Sequence, residues 1–164
     1  MNSLQLQKSL YSATASTFEE LALLCPSGDM GVEQRQLPLV GAASVTFDGP
    51  LRGELVLSVT DQVLAAAASN MLALDETPAA ALRRDAVCEL ANVICGSLLP
   101  HVAGRRAMFR LGAPRWRAAD GSPAGSMAAF GAPVSEVLMG LEDGRVEVSL
   151  FLVNTWTSVE GVLP

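Results

Sequence analysis

Four residues in one short stretch have the types and spacing to do chemistry: Asp85, Glu89, Asn92 and Gly96. At about 100° per residue they fall within roughly 60° of one another on a helical wheel. A Glu and an Asn three residues apart are neighbours on one helical face. A carboxamide carries both a donor and an acceptor, so it can hold a water molecule without itself ionising. In phosphoryl hydrolysis, holding the attacking oxygen in line is a large part of catalysis, and a carboxamide can supply that positioning. A carboxylate one turn away can pair with a Lys or Arg of a docking protein and fix the approach. Gly96 presents no side chain to obstruct it. The same strip has a plain alternative, because a helix with one wet face needs polar residues there whether or not they react.

Other chemistries find little support. His101 is the only histidine, which leaves no His-based metal cage and makes Ser/His or Cys/His nucleophilic catalysis depend on one residue. Its expected place is the end of a helix, where the dipole favours a cation. Neither a G-x-x-x-x-G-K-[ST] loop nor a G-x-G-x-x-G turn occurs. Cys25, Cys88 and Cys95 are odd in number and lack C-x-x-C spacing, which argues against a disulfide framework and a zinc site. Cys88 and Cys95 read as buried structural thiols. The net charge of −6 argues against nucleic-acid binding. Arg105, Arg106, Arg110, Arg115 and Arg117 collect in thirteen positions and suit a solvated edge or an acidic partner. Trp116 and Trp156 read as packing or interface residues.

The elements that must position the strip follow from hydrophobic pattern. Opposite it lie Val87, Leu90, Ala91, Ile94 and Leu98, an apolar face for a core. The helix carrying both faces is expected over 77–100, with Thr77 as N-cap, Pro78 at its first position and Pro100 interrupting or kinking it. An N-terminal helix is expected over 1–25, weakened near Ser12–Thr17 and stopped by Cys25-Pro26-Ser27-Gly28. Residues 26–42 should form a connection with a short strand around Leu37–Val40. A hairpin follows: Ala43–Phe47, a turn at Asp48-Gly49-Pro50, and Gly53–Val59. Thr60-Asp61 then caps an alanine-rich helix. Ala107–Gly112 reads as a strand, Pro114–Gly125 as irregular, and Asp120-Gly121-Ser122-Pro123 as a loop. A second hairpin runs Pro133–Leu141, Glu142-Asp143-Gly144, Arg145–Asn154.

The fold class expected is α+β: a mainly antiparallel sheet built from two hairpins, packed against long helices. At 164 residues, half of them hydrophobic and 17% charged, residues 1–164 form one expected domain. No apolar run approaches the ~20 residues a bilayer span needs, so no membrane insertion is expected. A basic stretch followed by an apolar one is missing at the N-terminus, so no secretory signal is expected and a cytoplasmic location is.

Asp85-x-x-x-Glu89-x-x-Asn92, followed by Gly96, resembles the [D/S]-x-x-x-E-x-x-N signature of the CheC/CheX/FliY family of chemotaxis phosphatases. Its setting is also similar: Phe47-Asp48-Gly49-Pro50-Leu51-Arg52-Gly53 leads into Leu55–Val59, then a helix with Ala65-Ala66-Ala67 and Met71-Leu72, then the motif helix. The likeness covers roughly residues 40–155. It implies a phosphatase acting on the aspartyl phosphate of a response-regulator receiver domain such as CheY. By that analogy Asn92 positions the attacking water, Glu89 contacts a receiver lysine, and Asp85 and Gly96 support the geometry. The resemblance places Mg²⁺ in the receiver's acidic pocket, with no cofactor or metal held by this chain. The N-terminal helix offers Ser16-x-x-x-Glu20, but Leu23 stands where a second asparagine would be needed. One motif, without the added segments of FliY, implies a CheX-like member, and CheX-like members tend to be homodimers. A rival reading is a non-catalytic module that binds a signalling protein on the same fold.

Overall fold

The computed structural model describes residues 1–119 and 131–153. The elements in chain order are α1 (Ser3–Leu21), α2 (Val32–Gln36), β1 (Leu39–Asp48), β2 (Gly53–Thr60), α3 (Asp61–Met71), α4 (Ala80–Ala103), β3 (Arg110–Leu111), β4 (Arg115–Ala118), β5 (Ser135–Leu141) and β6 (Gly144–Leu152). The two expected hairpins are β1–β2 and β5–β6. They join edge to edge through β2 and β6, giving the order β3-β1-β2-β6-β5 with β4 also on β1. Every pairing is antiparallel. The register sets Val45 against Leu55, Leu57 against Val148, and Val148 against Val137. One face of the sheet is therefore an apolar ladder, because side chains two apart on a strand share a face.

Three helices cover that ladder. α4 packs on β1 and β2, α3 on β2 and β6, and α1 on β5 and α4. The predicted apolar face of α4 is the buried one: Val87, Leu90, Ala91, Ile94 and Leu98 have no exposed surface. Burying each large aliphatic side chain stabilises the fold by about 1.5–3 kcal/mol. The run Ala65–Ala68 on α3 reads as a close-packing surface, with Ala67 and Ala68 fully buried. This is the α+β arrangement expected from the pattern.

The structure departs from expectation mainly at element ends. α1 runs unbroken through Ser12–Thr17, because the Thr14 and Thr17 hydroxyls donate back to the Leu10 and Ala13 carbonyls at 2.8 Å. Their polar atoms are satisfied within the helix, leaving the methyls free to pack. A capping box between Asn2 and Gln5 fixes its start. α2 was too short to show a period. α4 starts at Ala80, two residues later than expected, with Ala79 rather than Thr77 at the N-cap position and no side-chain cap. Thr60 does stand at the N-cap of α3, yet its hydroxyl accepts from the Arg145 N–H instead of capping.

Pro100 does not end α4, which continues to Ala103 and stops at Gly104 with φ 93°. Pro100 has no N–H to give the Gly96 carbonyl, but both residues are exposed, so water can take its place. Buried Leu98 and Leu99 hold the helix to the core across the break. At 24 residues, α4 is long and apolar enough to cross a bilayer by length and composition, contrary to the reading of the sequence. Its apolar face is the one that packs on the sheet.

Beyond α4 the expected strand 107–112 shrinks to β3, and the stretch read as irregular contains β4. Only Trp116 of β4 faces the core, opposite Ala43, so its alternation resembled a polar loop. The loop at 120–123, Asn154 and Trp156 lie outside the described residues.

β4 is held by a close approach at Gly41, where any Cβ would run into the Trp116 ring and lie 2.9 Å from the Arg117 carbonyl. Gly41→Ala should therefore lower stability by about 1–3 kcal/mol, read as a shifted denaturant midpoint with unchanged slope.

Candidate functional site

Packing decides where the strip on α4 points. With its apolar face against the sheet, the opposite face is turned away from it. Asp85, Glu89 and Gly96 are exposed and Asn92 is half-buried. The structure thus brings the four residues singled out by spacing onto one accessible strip. Glu89 and Asn92 sit on successive turns, where Cβ atoms are about 5–6 Å apart. Among the described residues, neither side chain is engaged in a hydrogen bond or an ion pair.

The strip has two different flanks. On one side it adjoins the β3 edge, and a Cβ on Gly96 would meet only the Leu111 Cδ1 at 3.8 Å. That is ordinary van der Waals contact, so the fold itself has room for alanine there. On the other side lies an open groove of about 590 Å³ between α4 and α1, into which Glu89 also faces. His101 stands exposed in the last turn of α4, where the helix dipole favours it, and lines the same groove.

The arginines separate from the strip. Trp116 pairs with core residue Ala43, so Arg115 and Arg117, opposite Ser44 and Ala42, are on the other face of the sheet. Arg110 pairs with Asp48 while its neighbour Leu111 pairs with buried Phe47, which puts Arg110 on that far face too. All three are exposed. They edge the sheet and take no part in the strip.

A second motif cannot form on α1 as it stands. Ser16 and Glu20 are exposed on that helix, but the helix ends at Leu21. Leu23 lies past the end in a left-handed conformation, φ 53°, off the helical face altogether. Sequence reasoning noted Ser16 and Glu20 without seeing that α1 forms the far wall of the groove beside Glu89. Their four-residue spacing was the available signal.

Cys88 and Cys95 flank the strip. Cys95 is fully buried, and burial pushes its thiol up to about 12. Cys88 is only half-buried, less so than expected. Burial raises its pKa, and the Asp85 carboxylate three residues earlier raises it further. Among the described residues, no group of three or more His, Cys, Asp or Glu side chains could hold a metal ion.

The model of the chemotaxis phosphatase CheX family matches residues 42–122, from β1 through α4 to just past β4. No curated protein sequence matches the chain. Among solved structures, the chemotaxis protein CheX from Desulfovibrio desulfuricans superposes with a TM-score of 0.70 at 21% identity, covering 90% of this chain and 98% of that one. CheX from Vibrio vulnificus gives 0.69 at 13% identity, covering 93% and 99%. The CheX–CheY–BeF3–Mg²⁺ complex from Borrelia burgdorferi gives 0.60 at 16%, covering 89% and 96%. The resemblance read from the motif holds: the chain is CheX-like in the matched sequence segment, and these neighbours share its fold.

The contact between Asp85 and Cys88 has a direct readout. Thiolate is the reactive form, so a raised pKa slows alkylation. Asp85→Asn removes the repelling charge and lowers the Cys88 pKa. It should speed Cys88 alkylation about two- to threefold near pH 8.5, followed by peptide mass mapping, while Cys95 stays unmodified.

Proposed function

We propose that this CheX-like chain is a single-domain phosphatase for the aspartyl phosphate of a CheY-like receiver. The observation that carries the proposal is the exposed Glu89–Asn92 pair on one strip of α4, inside the segment that matches the CheX family. In this reading the strip docks over the receiver's phosphorylated aspartate. The Asn92 carboxamide orients a water in line with the phosphorus, using its donor and acceptor together. The water oxygen bonds to phosphorus, the acyl–phosphate bond breaks, and the products are the aspartate carboxylate and inorganic phosphate. Glu89 pairs with a receiver lysine and fixes the register of the two surfaces. Asp85 and Gly96 support that fit.

This chain holds no cofactor or metal in the proposal. The Mg²⁺ that neutralises the phosphoryl oxygens belongs to the receiver, and its chemistry is supplied from there. A homodimer in the cytoplasm completes the reading, as the resemblance implies. What supports the receiver as partner is the complex formed by the Borrelia protein of this fold with CheY.

The test is the lifetime of the phosphorylated state. With a receiver phosphorylated by acetyl phosphate, the parent protein should accelerate phosphate release. Asn92→Ala should cost on the order of 10² in rate, the scale of losing one positioned polar group in a transition state. Glu89→Ala should act mainly on binding of the receiver. Equal acceleration by parent and both variants defeats the reading, and binding without any change in phosphate lifetime leaves a docking module instead.

Gly96 separates function from stability. A helix-interior glycine costs about 0.5–1 kcal/mol relative to alanine, and the fold has room for the methyl. Gly96→Ala should therefore raise the melting temperature while slowing dephosphorylation, because the methyl stands where the receiver must approach.

A further inference from the structure

Beyond Gly96, α4 leads into a tight basic turn that the proposed chemistry leaves unused. The Ala107 N–H donates to the Gly104 carbonyl at 3.1 Å, which leaves Arg105 and Arg106 at the two corners, both exposed. The turn is held from behind. The Phe109 ring meets Phe47 edge-on at 6.0 Å, and Gly49 backs so closely on the Met108 carbonyl that a Cβ there would stand 2.6 Å from it. Arg110 follows opposite Asp48, which is already paired with Arg52 at 3.1 Å. The next acid, Glu54, is buried on β2. Among the described residues, Arg105, Arg106 and Arg110 have no hydrogen-bond or ion-pair partner. Three exposed positive charges thus collect at this end of a chain of net charge −6.

The strip has the opposite sign, since Asp85 and Glu89 lie on it. Arg83 is paired with Asp61 at 3.7 Å, and Arg84 stands about 100° round the helix from Asp85. Across the groove Lys8 and Glu20 offset one another. An aspartyl phosphate in an acidic, Mg²⁺-binding pocket is anionic too, so strip and substrate repel at a distance. We infer that the Arg105–Arg106 turn guides that encounter by meeting a carboxylate-bearing surface of the receiver at the rim of the interface, an inference that rests on the proposed function. Along α4 the turn lies about 13 Å from Gly96 and about 20 Å from Asn92. A standard interface of about 800 Å² per partner is roughly 30 Å across, so a receiver seated on the strip reaches the turn with its edge. A nucleic acid or an anionic bilayer would extend from the turn across Asp85 and Glu89 and be repelled there. A protein surface carries both signs, and can offer a lysine to Glu89 and carboxylates to the arginines. Rim charges act on association and salt dependence, so both arginines are docking residues remote from the phosphorus.

The experiment measures kcat and KM for the acetyl-phosphate-treated receiver at about 0.02 M and about 0.5 M NaCl, between which the Debye length falls from roughly 20 Å to roughly 4 Å. It compares the parent with Arg105→Glu/Arg106→Glu and with Arg115→Glu/Arg117→Glu, the same charge change on the far face of the sheet. All four arginines are exposed, so both variants should fold, which circular dichroism checks. Expected for the turn variant is a KM raised about tenfold at low salt and about twofold at high salt, with kcat within about twofold of the parent. The far-face variant should stay within about twofold of the parent in both constants. A parental KM for the turn variant, or an equal deficit in both variants, overturns the inference and leaves the phosphatase reading intact. If the parent itself neither binds nor dephosphorylates the receiver, both fall. Binding of anionic vesicles or DNA that the turn variant loses while its KM stays parental assigns the turn to that partner and overturns the inference.

Discussion

The seating of α4 on the sheet is the constraint from which the rest of the site follows. Val87, Leu90, Ala91, Ile94 and Leu98 are all fully buried, and they recur every three or four residues along the helix. Turning the helix by one residue position, about 100°, would lift several of them out of the core at roughly 1.5–3 kcal/mol each. No contact of the strip's own is needed to hold it outward. The direction of Glu89 and Asn92 is set by side chains on the opposite side of the same helix.

That coupling explains what was legible in the sequence. A period of 3.6 residues in apolar positions gives the core face of α4, and the strip is its complement. The two hairpins were equally readable, because Val45, Leu55, Val148 and their neighbours alternate with period two around turn residues. The unread parts are those in which local signals are weak or overruled. α2 has five residues and no room for a period. β4 presents one core residue, Trp116, between two arginines. Thr77-Pro78 has the composition of a helix start, yet the connection from α3 continues to Ala79. At Pro100 the breaker signal was sound chemistry, but packing of Leu98 and Leu99 outweighed one lost hydrogen bond on the wet side.

The arginines show how strand geometry reorganises a cluster that looks continuous in sequence. Arg110, Arg115 and Arg117 lie within eight positions of one another. Pairing with β1 fixes which face each one takes, and Leu111 and Trp116 claim the core face in between. These three arginines therefore edge the far side of the sheet, which they share with Asp48, Glu136 and Glu147, and they take no part in the strip.

The end of α1 shows why one strip stands alone. Ser16 and Glu20 occupy helical positions, but a third residue at 23 would need another turn of helix. The chain instead turns away: Ala22 and Leu24 are buried, and the Leu24 N–H bonds the Phe18 carbonyl at 3.1 Å. Asn70 of α3 reinforces the exit by donating to the Ala22 carbonyl at 2.8 Å. Replacing Leu23 by asparagine would put an amide on a left-handed residue pointing off the helix, with no fixed distance to Glu20. Extending the helix would have to pull Ala22 and Leu24 out of the core. The core contacts that end α1 are thus what confine it to being a wall, leaving α4 as the only described helix that carries a Glu and an Asn three residues apart.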